Sequence, residues 1–161
     1  MWLVWTAIAL VLIGLYCSWT AGRLDRLHAR VDAAWAALDA QLVRRAFAAQ
    51  ALLPLLPPGP EHDRLAAAVN VAAEAGEDGR QGVENDLSRA LREARPLLAA
   101  GSPGLAELDH AAERVLLARS FHNSAVRDTR RVRARKVPRA LRLSGHRALP
   151  AFFDVDDTAL S

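Results

Sequence analysis

Two pairs of a carboxylate and a histidine, each pair three residues apart, form the pattern in this chain that comes nearest to a metal site. They are Asp25 with His28, and Glu107 with His110. On a helix this spacing places both side chains on one face, as in the ligand pairs of carboxylate-bridged di-iron bundles. In the up-and-down helix order predicted below, the two pairs lie at opposite ends, about 40 Å apart or more at ~1.5 Å per residue. We therefore predict no metal site and no cofactor.

A second pattern, Phe-Phe-Asp-Val-Asp-Asp-Thr at residues 152–158, matches the first motif of haloacid-dehalogenase-type phosphatases. In that chemistry the first aspartate, here Asp154, attacks phosphorus, and the second, Asp156, acts as the acid. The motif needs the end of a central parallel strand and a doubly wound domain after it, whereas only three residues follow Thr158. We interpret this acidic end as a solvated tail. No catalytic residue is predicted, and an enzyme ranks third among the function classes.

The elements that must position any site begin with an uncharged apolar run at residues 2–20. As a helix this run reaches about 28 Å, close to the ~30 Å hydrocarbon thickness of a bilayer. Trp2 and Trp19 lie near its ends, where amphipathic rings prefer the headgroup level. A cleavable signal peptide is disfavoured because no small-residue cleavage site follows the run. We predict a transmembrane anchor over residues 1–22, in preference to a buried core helix.

The charges beside the apolar run predict its orientation. Arg23, Arg26 and Arg30 follow the run at once, whereas the terminal amine is the only positive charge before it. Because Lys and Arg resist translocation, we expect a single-pass protein of the cell membrane, with its N-terminus outside and the rest in the cytoplasm. Cys17, the sole cysteine, excludes an intramolecular disulfide and is interpreted as an ordinary residue of the span.

Apolar residues at three- and four-residue steps predict an all-α fold beyond the anchor. We predict four helices: one from the anchor to about Leu53, one from Glu61 to Ala75, one from about Val83 to Ala99 with Pro96 as a kink, and one beginning at Pro103, capped by Ser102, and ending near Arg135. The transmembrane helix is expected to continue into an antiparallel four-helix bundle over residues 23–136, followed by a basic and then acidic tail over residues 137–161. Trp35, Leu38, Leu108 and Val115 are expected to point into the core.

Two stretches, residues 23–46 and 116–138, resemble the opening and closing patterns of the LemA family of bacterial membrane-anchored helical proteins. The matching positions are Val31, Ala34, Trp35, Asp39, Leu42 and Arg44-Arg45-Ala46 in the first stretch, and Arg119, Phe121, Asn123, Ala125, Val126, Arg127 and Asp128 in the second. The chain departs from the family pattern at Ala49, where a proline is usual, and at His122, where a tyrosine is usual. The resemblance implies a membrane-tethered antiparallel helical bundle. It implies no catalytic residue.

The strongest charge feature is a basic run at residues 127–147, which holds nine Arg or Lys side chains and one acid, a net charge of +8 in a chain whose total is +3. In an up-and-down bundle this run leaves the fourth helix at the membrane end. There, each basic side chain near an anionic leaflet contributes about 1 kcal/mol. The predicted membrane-surface residues are basic residues of this run and two phenylalanines of the tail: Arg127, Arg130, Arg131, Arg133, Arg135, Lys136, Arg139, Arg142, Phe152 and Phe153.

The sequence is therefore interpreted as a membrane-anchored helical scaffold or interaction protein of LemA type, without catalytic activity or a small-molecule substrate. Its expected partners are the anionic leaflet of the lipid bilayer and a membrane or cytoplasmic protein. The sequence is also compatible with a homo-oligomer and does not define the oligomeric state. Nucleic-acid binding is the alternative, because an arginine-rich helix also neutralises backbone phosphates, although no aromatic residue interleaves the basic run. A solvated end without a specific partner is the remaining interpretation.

Overall fold

The chain is described by a computed structural model, which covers residues 1–134 and 148–155. Its elements are four α-helices, α1 (Trp2–Gln50), α2 (Pro60–Glu74), α3 (Arg80–Ala94) and α4 (Leu105–Arg133), and two short 3₁₀ helices, Leu53–Leu55 and Arg95–Leu97. No β-strand occurs in the described ranges. The prediction of an all-α fold with four helices is confirmed.

The first helix is long and apolar enough to cross a membrane by length and composition, with a mean hydropathy of 1.8 over its most apolar window. Only 6% of that window is buried. A core helix of a soluble protein is mostly buried, so these apolar residues are not a core helix of the described fold. The helix continues without a break through residue 22, the predicted limit of the anchor.

The first two helices lie close to where the sequence places them. α1 ends at Gln50, three residues before the predicted Leu53, because the proline-rich segment 54–60 cannot continue a helix. α2 begins with Pro60, whose fixed φ suits a first helical turn. Glu61 and Asp63 lie in that turn, where carboxylates favour the positive end of the helix dipole.

The predicted bounds of the third helix, Val83–Ala99, need correction at both ends. α3 starts at Arg80, directly after Gly79, which has a left-handed φ of 77°. It ends at Ala94, and Pro96 lies in a 3₁₀ turn rather than at a kink inside a longer helix. The reason is that proline lacks the amide hydrogen needed inside an α-helix but fits the first positions of a short turn.

The predicted start of the fourth helix also needs correction. α4 begins at Leu105, not at Pro103, and Ser102 does not cap it. The Ser102 hydroxyl donates instead to a backbone carbonyl three residues earlier, over 2.6 Å. Gly104 precedes the helix with a φ of 92°, and an added Cβ there would lie 3.1 Å from Cδ2 of Leu52. This close approach in a left-handed conformation requires glycine.

The chain forms two compact units. The first unit holds residues 1–35 with the described part of 122–152, and the second holds residues 36–121 with 153–155. The core of the second unit draws on all four helices, and its most deeply buried members are Ala46, Ala49, Leu52, Leu65, Val69, Ala72, Leu87 and Ala94. Leu38, Leu108 and Val115 are buried as predicted, whereas Trp35, in the first unit, is only half-buried.

Candidate membrane-proximal site

In the first unit, the last turns of α4 lie against the part of α1 that follows the apolar segment. The Thr129 hydroxyl is 3.4 Å from the carbonyl oxygen of Leu27, and Nη1 of Arg133 is 3.4 Å from Nε2 of His28. Arg30 forms an exposed ion pair with Asp128, over 3.8 Å. The basic end of α4 is therefore held beside the first turns of α1 beyond the apolar run.

A small apolar cluster supports this contact a little further along both helices. It consists of Val31 from α1 with Ala125 and Val126 from α4, and the half-buried Ala34 packs against it. The ring of His122 contacts the Trp35 ring edge to face, with centroids 5.6 Å apart and planes at 64°. Small side chains at the contact allow the two helix backbones to approach closely.

The arginines that directly follow the apolar segment bend back toward it. The guanidinium carbon of Arg23 lies 5.5 Å from the centroid of the Trp19 ring, one helical turn earlier. Nη1 of Arg26 lies 3.6 Å from where a Cβ of Gly22 would be, again one turn earlier. Long basic side chains adopt this orientation when an apolar stem covers apolar surface and the charged end reaches an aqueous or headgroup layer.

The tail segment 148–152 is attached to α4 through its backbone carbonyls. Nη1 of Arg133 donates to the carbonyl of Ala148 and Nε of Arg130 donates to the carbonyl of Pro150, each over 2.8 Å. Nε2 of His122 lies 3.3 Å from the carbonyl of Ala151. These carbonyls are neutral, so both guanidinium groups keep their charge uncompensated by this tail.

The structure places the predicted membrane-surface residues in different environments. Arg127 and Arg131 are exposed, whereas Arg130 and Arg133 are half-buried. Four further predicted residues lie outside the described ranges: Arg135, Lys136, Arg139 and Arg142. Arg127 and Arg131 are four residues apart and thus share one face of α4. This pair is the described part of the predicted membrane-surface set that is free to meet a charged partner.

The two tail phenylalanines of the predicted set lie in different environments. Phe152 is 43% exposed and lies under the guanidinium group of Arg130, 4.7 Å from its carbon. Phe153 is only 4% exposed. In the structure, Phe153 is therefore packed within the protein. Nearby in the second unit, Arg119 holds the carbonyl of Val155 over 3.0 Å.

Residues of the carboxylate–histidine pattern and of the phosphatase motif have other partners or are exposed. Asp154 is 87% exposed and lies 3.6 Å from Arg119, and Asp156 lies outside the described residues. Nδ1 of His28 donates to the carbonyl of Leu24 over 2.9 Å, and His110 pairs with Glu113. Within residues 1–134 and 148–155, no group of three or more His, Cys, Asp or Glu is arranged to hold a metal ion.

A buried ion-pair network in the second unit was not predicted from the sequence. Nη2 of Arg45 donates to Oε2 of Glu84 and to the Ser88 hydroxyl, each over 3.0 Å, and to the carbonyl of Glu84 over 3.1 Å. Nε of Arg80 lies 3.1 Å from the other carboxylate oxygen of Glu84. The side chains of Arg45 and Glu84 are fully buried, and Arg80 also approaches the half-exposed Asp39, over 3.4 Å. The network joins α1 to α3.

Helix periodicity explains why these charges are inside. Arg45 follows Leu38 and Leu42 at steps of four and three residues, so it continues the buried stripe of α1. On α3, Arg80, Glu84 and Ser88 recur every four residues and thus share one face. An arginine in register with the leucines was the signal that could have revealed the network.

Burial governs the protonation of this network. Loss of solvent raises the pKa of the Glu84 carboxyl above its ordinary range, and the nearby guanidinium groups of Arg45 and Arg80 offset this only in part. Burial likewise lowers the pKa of Arg45, against the opposing attraction of Glu84. Each carboxylate oxygen of Glu84 lies beside a guanidinium group. The network therefore holds α1 and α3 together and has a structural role.

Comparison of the chain with protein-family models, curated proteins and solved structures gives no match.

Proposed function

We propose that the chain is a membrane-anchored helical scaffold or interaction protein of LemA type, with residues 2–20 across the bilayer and the helical domain in the cytoplasm. The observation that carries this proposal is the exposure of the apolar part of α1. Only 6% of its most apolar stretch is buried within the protein. Trp2 and Leu10 are 81% and 69% exposed. Contiguous apolar surface on this scale is stable in a hydrocarbon layer and unfavourable in water.

The order of helix contacts supports an antiparallel bundle. In the second unit, Arg64 near the start of α2 pairs with Glu93 near the end of α3, over 2.6 Å. In the first unit, the contacts of α4 with α1 move from Trp35 to Leu27 as the α4 numbering rises from 122 to 129. Contacts of this order arise when two helices run in opposite directions.

We further propose that the basic end of α4 contacts the anionic membrane surface. His28, the neighbour of Arg133, lies eight residues beyond Thr20, or about 12 Å along α1 at 1.5 Å per residue. The headgroup layer occupies roughly 5–7 Å of that distance on each side of the hydrocarbon core. The remainder is less than the Debye length of about 8 Å at physiological ionic strength. The end of α4 at Arg133 is thus within electrostatic reach of lipid phosphates, and the exposed Arg131 lies about 3 Å and Arg127 about 9 Å farther back along the helix axis.

Two measurements on the full chain test this proposal. A reporter fused after Ser161 should be active only where a cytoplasmic reporter works, and the protein should stay in the membrane pellet after alkaline and high-salt washing. Release by the washes would contradict the anchor. Activity of an export-dependent reporter at the same position would contradict the orientation.

Nucleic-acid binding is distinguished by a second assay. A fragment beginning at Arg23 should bind vesicles rich in anionic lipid, ignore neutral vesicles and dissociate as salt rises. Preferential retention on duplex DNA, with no preference for anionic vesicles, would favour the alternative function.

A further inference from the structure

The outer face of the second unit carries a hollow between α1 and α4 with a volume of about 470 Å³. Three small side chains line it, Ala48 and Ala51 from the α1 side and Ala111 from α4. Phe47 lies at its edge and is 56% exposed. An exposed aromatic ring thus stands at a depression whose lining includes three alanines, so the face has both a projection and a recess.

The charges at this hollow are also arranged in a complementary way. Glu107 and Arg114 line the hollow from α4, on either side of Ala111. At steps of four and three residues the three side chains form one stripe, with the two charges about 10 Å apart along the helix axis. Within the described residues, neither charge has an ion-pair partner. Arg44, at the α1 side of the hollow, adds a second cation.

We propose that this face binds the same face of a second copy of the chain. When two copies of α4 cross in opposite directions at Ala111, a two-fold axis places Glu107 of each copy opposite Arg114 of the other. The same symmetry brings Phe47 of each copy toward the alanine-lined recess of its partner. Opposite charges on the two sides of a small residue, here four and three residues away from it, suit a self-complementary helix contact.

The exposed apolar surface extends beyond the hollow along the same helix. Leu117 and Phe121 follow Arg114 at steps of three and four residues, and are 58% and 62% exposed. Large apolar side chains exposed in a row mark surfaces that bind other proteins. In the proposed crossing, Leu117 lies about 9 Å and Phe121 about 15 Å beyond Ala111 along the helix axis, on the side where the partner's α4 begins.

This contact involves residues 44–51 and 107–121 and does not depend on the proposed anchor. Tethering of two copies in one membrane would raise their effective concentration without any new contact. The proposed self-association can therefore be refuted while the proposed anchor is supported, and the anchor can be refuted while the self-association is supported.

The first test compares substitutions of two apolar residues that are equally exposed in the wild-type chain. Phe47→Ala removes the projecting ring, and Val71→Ala removes an apolar side chain of α2 that is also 56% exposed and does not line the hollow. Sedimentation equilibrium of the full chain in detergent micelles should show a dimer for the wild type. Phe47→Ala should raise the dissociation constant about tenfold or more, as expected for a central aromatic contact, and Val71→Ala should leave it unchanged.

The second test uses charge reversal. Glu107→Arg and Arg114→Glu should each abolish the dimer, since each places like charges opposite one another twice. Mixed in equal amounts, the two variants should form a heterodimer, because every opposed pair is again of opposite sign. A single chain carrying both reversals should also dimerise. Glu113→Arg, an exposed reversal on α4 away from the hollow, is the control and should have no effect.

Circular dichroism of each variant establishes that the helices remain folded, which is expected because all the changed side chains are exposed. A wild-type chain that stays monomeric would refute the proposal. So would a dimer that resists Phe47→Ala and both single reversals, because it would form through another surface such as the apolar segment. Failure of the mixed reversals to pair would refute the two-fold geometry.

Discussion

Substitution of Glu84 tests the buried network most directly. Glu84→Ala removes the carboxylate that both Arg45 and Arg80 contact, and leaves the buried Arg45 without this partner, while Arg80 keeps its contact with Asp39. Removing one partner of a buried ion pair costs about 3–5 kcal/mol, because the remaining charge is uncompensated. Glu93→Ala is the matched control on the same helix, since its pair with Arg64 is exposed and exposed pairs contribute about 0–1 kcal/mol.

Urea unfolding of a fragment beginning at Arg23, followed by circular dichroism, measures both losses. Glu84→Ala should lower the unfolding free energy by several times the loss for Glu93→Ala. Equal, small losses would show that Glu84 is solvated and that the network does not form. Simultaneous replacement of Arg45, Arg80 and Glu84 by Met, Met and Leu should recover most of the stability, because a buried ionic triad is replaceable by apolar residues of similar volume.

The pH dependence follows from the raised pKa of Glu84. A carboxyl whose pKa is higher in the folded than in the unfolded state binds its proton more tightly when folded. Its contribution to stability is therefore complete below the unfolded value of about 4.3 and is lost as pH rises through the folded value. Measured against Glu84→Gln, which does not titrate, the wild type should have its largest relative stability in acid and should lose that advantage toward neutral pH. A constant difference across this range would contradict the raised pKa.

Three further outcomes are expected. Changing Arg127 and Arg131 together to Gln should weaken binding of the fragment to anionic vesicles by up to about 2 kcal/mol, and vesicle co-sedimentation would show no change if these residues do not face lipid. Phe153→Ala should destabilise the fragment by about 3 kcal/mol in urea unfolding, since the ring is buried, whereas a loss confined to vesicle binding would mean that the ring contacts lipid. Gly104→Ala should lower the unfolding midpoint, because it forces a side chain into a left-handed conformation beside Leu52, and an unchanged midpoint would show that this turn adapts.

Helix number, type and approximate bounds could be predicted from the sequence because they depend on local properties. Three- and four-residue apolar steps and the proline-rich segment define α1 and α2 to within a few residues. The errors lie at glycine and proline turns. Ser102 and Pro103 are residue types that favour a helix start. Gly104 has a left-handed backbone conformation, however, and α4 begins only at Leu105. The approach of Leu52 to that glycine depends on tertiary packing and has no local signal.

The residues of the buried network were harder to predict, because a charged residue in a helical sequence can lie at the surface or be buried in an ion pair. Arg45 and Arg44 are neighbours of the same type, yet Arg45 is fully buried and Arg44 is exposed. Composition favours an exposed position for both, since arginine is rarely buried unless paired. Only the register with Leu42 separates them, and the pairing with Glu84 spans 39 positions in sequence. Long-range pairing of this kind follows from the fold and not from any single motif.

The two units are stabilised by different kinds of contact, and this difference bears on function. The second unit has a core from four helices and a buried ionic network. In the described part of the first unit, Val31, Ala125 and Val126 form an apolar cluster, Leu24 and Val132 are also buried, and polar groups such as Thr129 and Arg130 add further contacts. Under the proposed function, the bilayer beside its apolar helix would also support the first unit. Under the same proposal, the second unit, with its packed core, would present the surface that a partner binds.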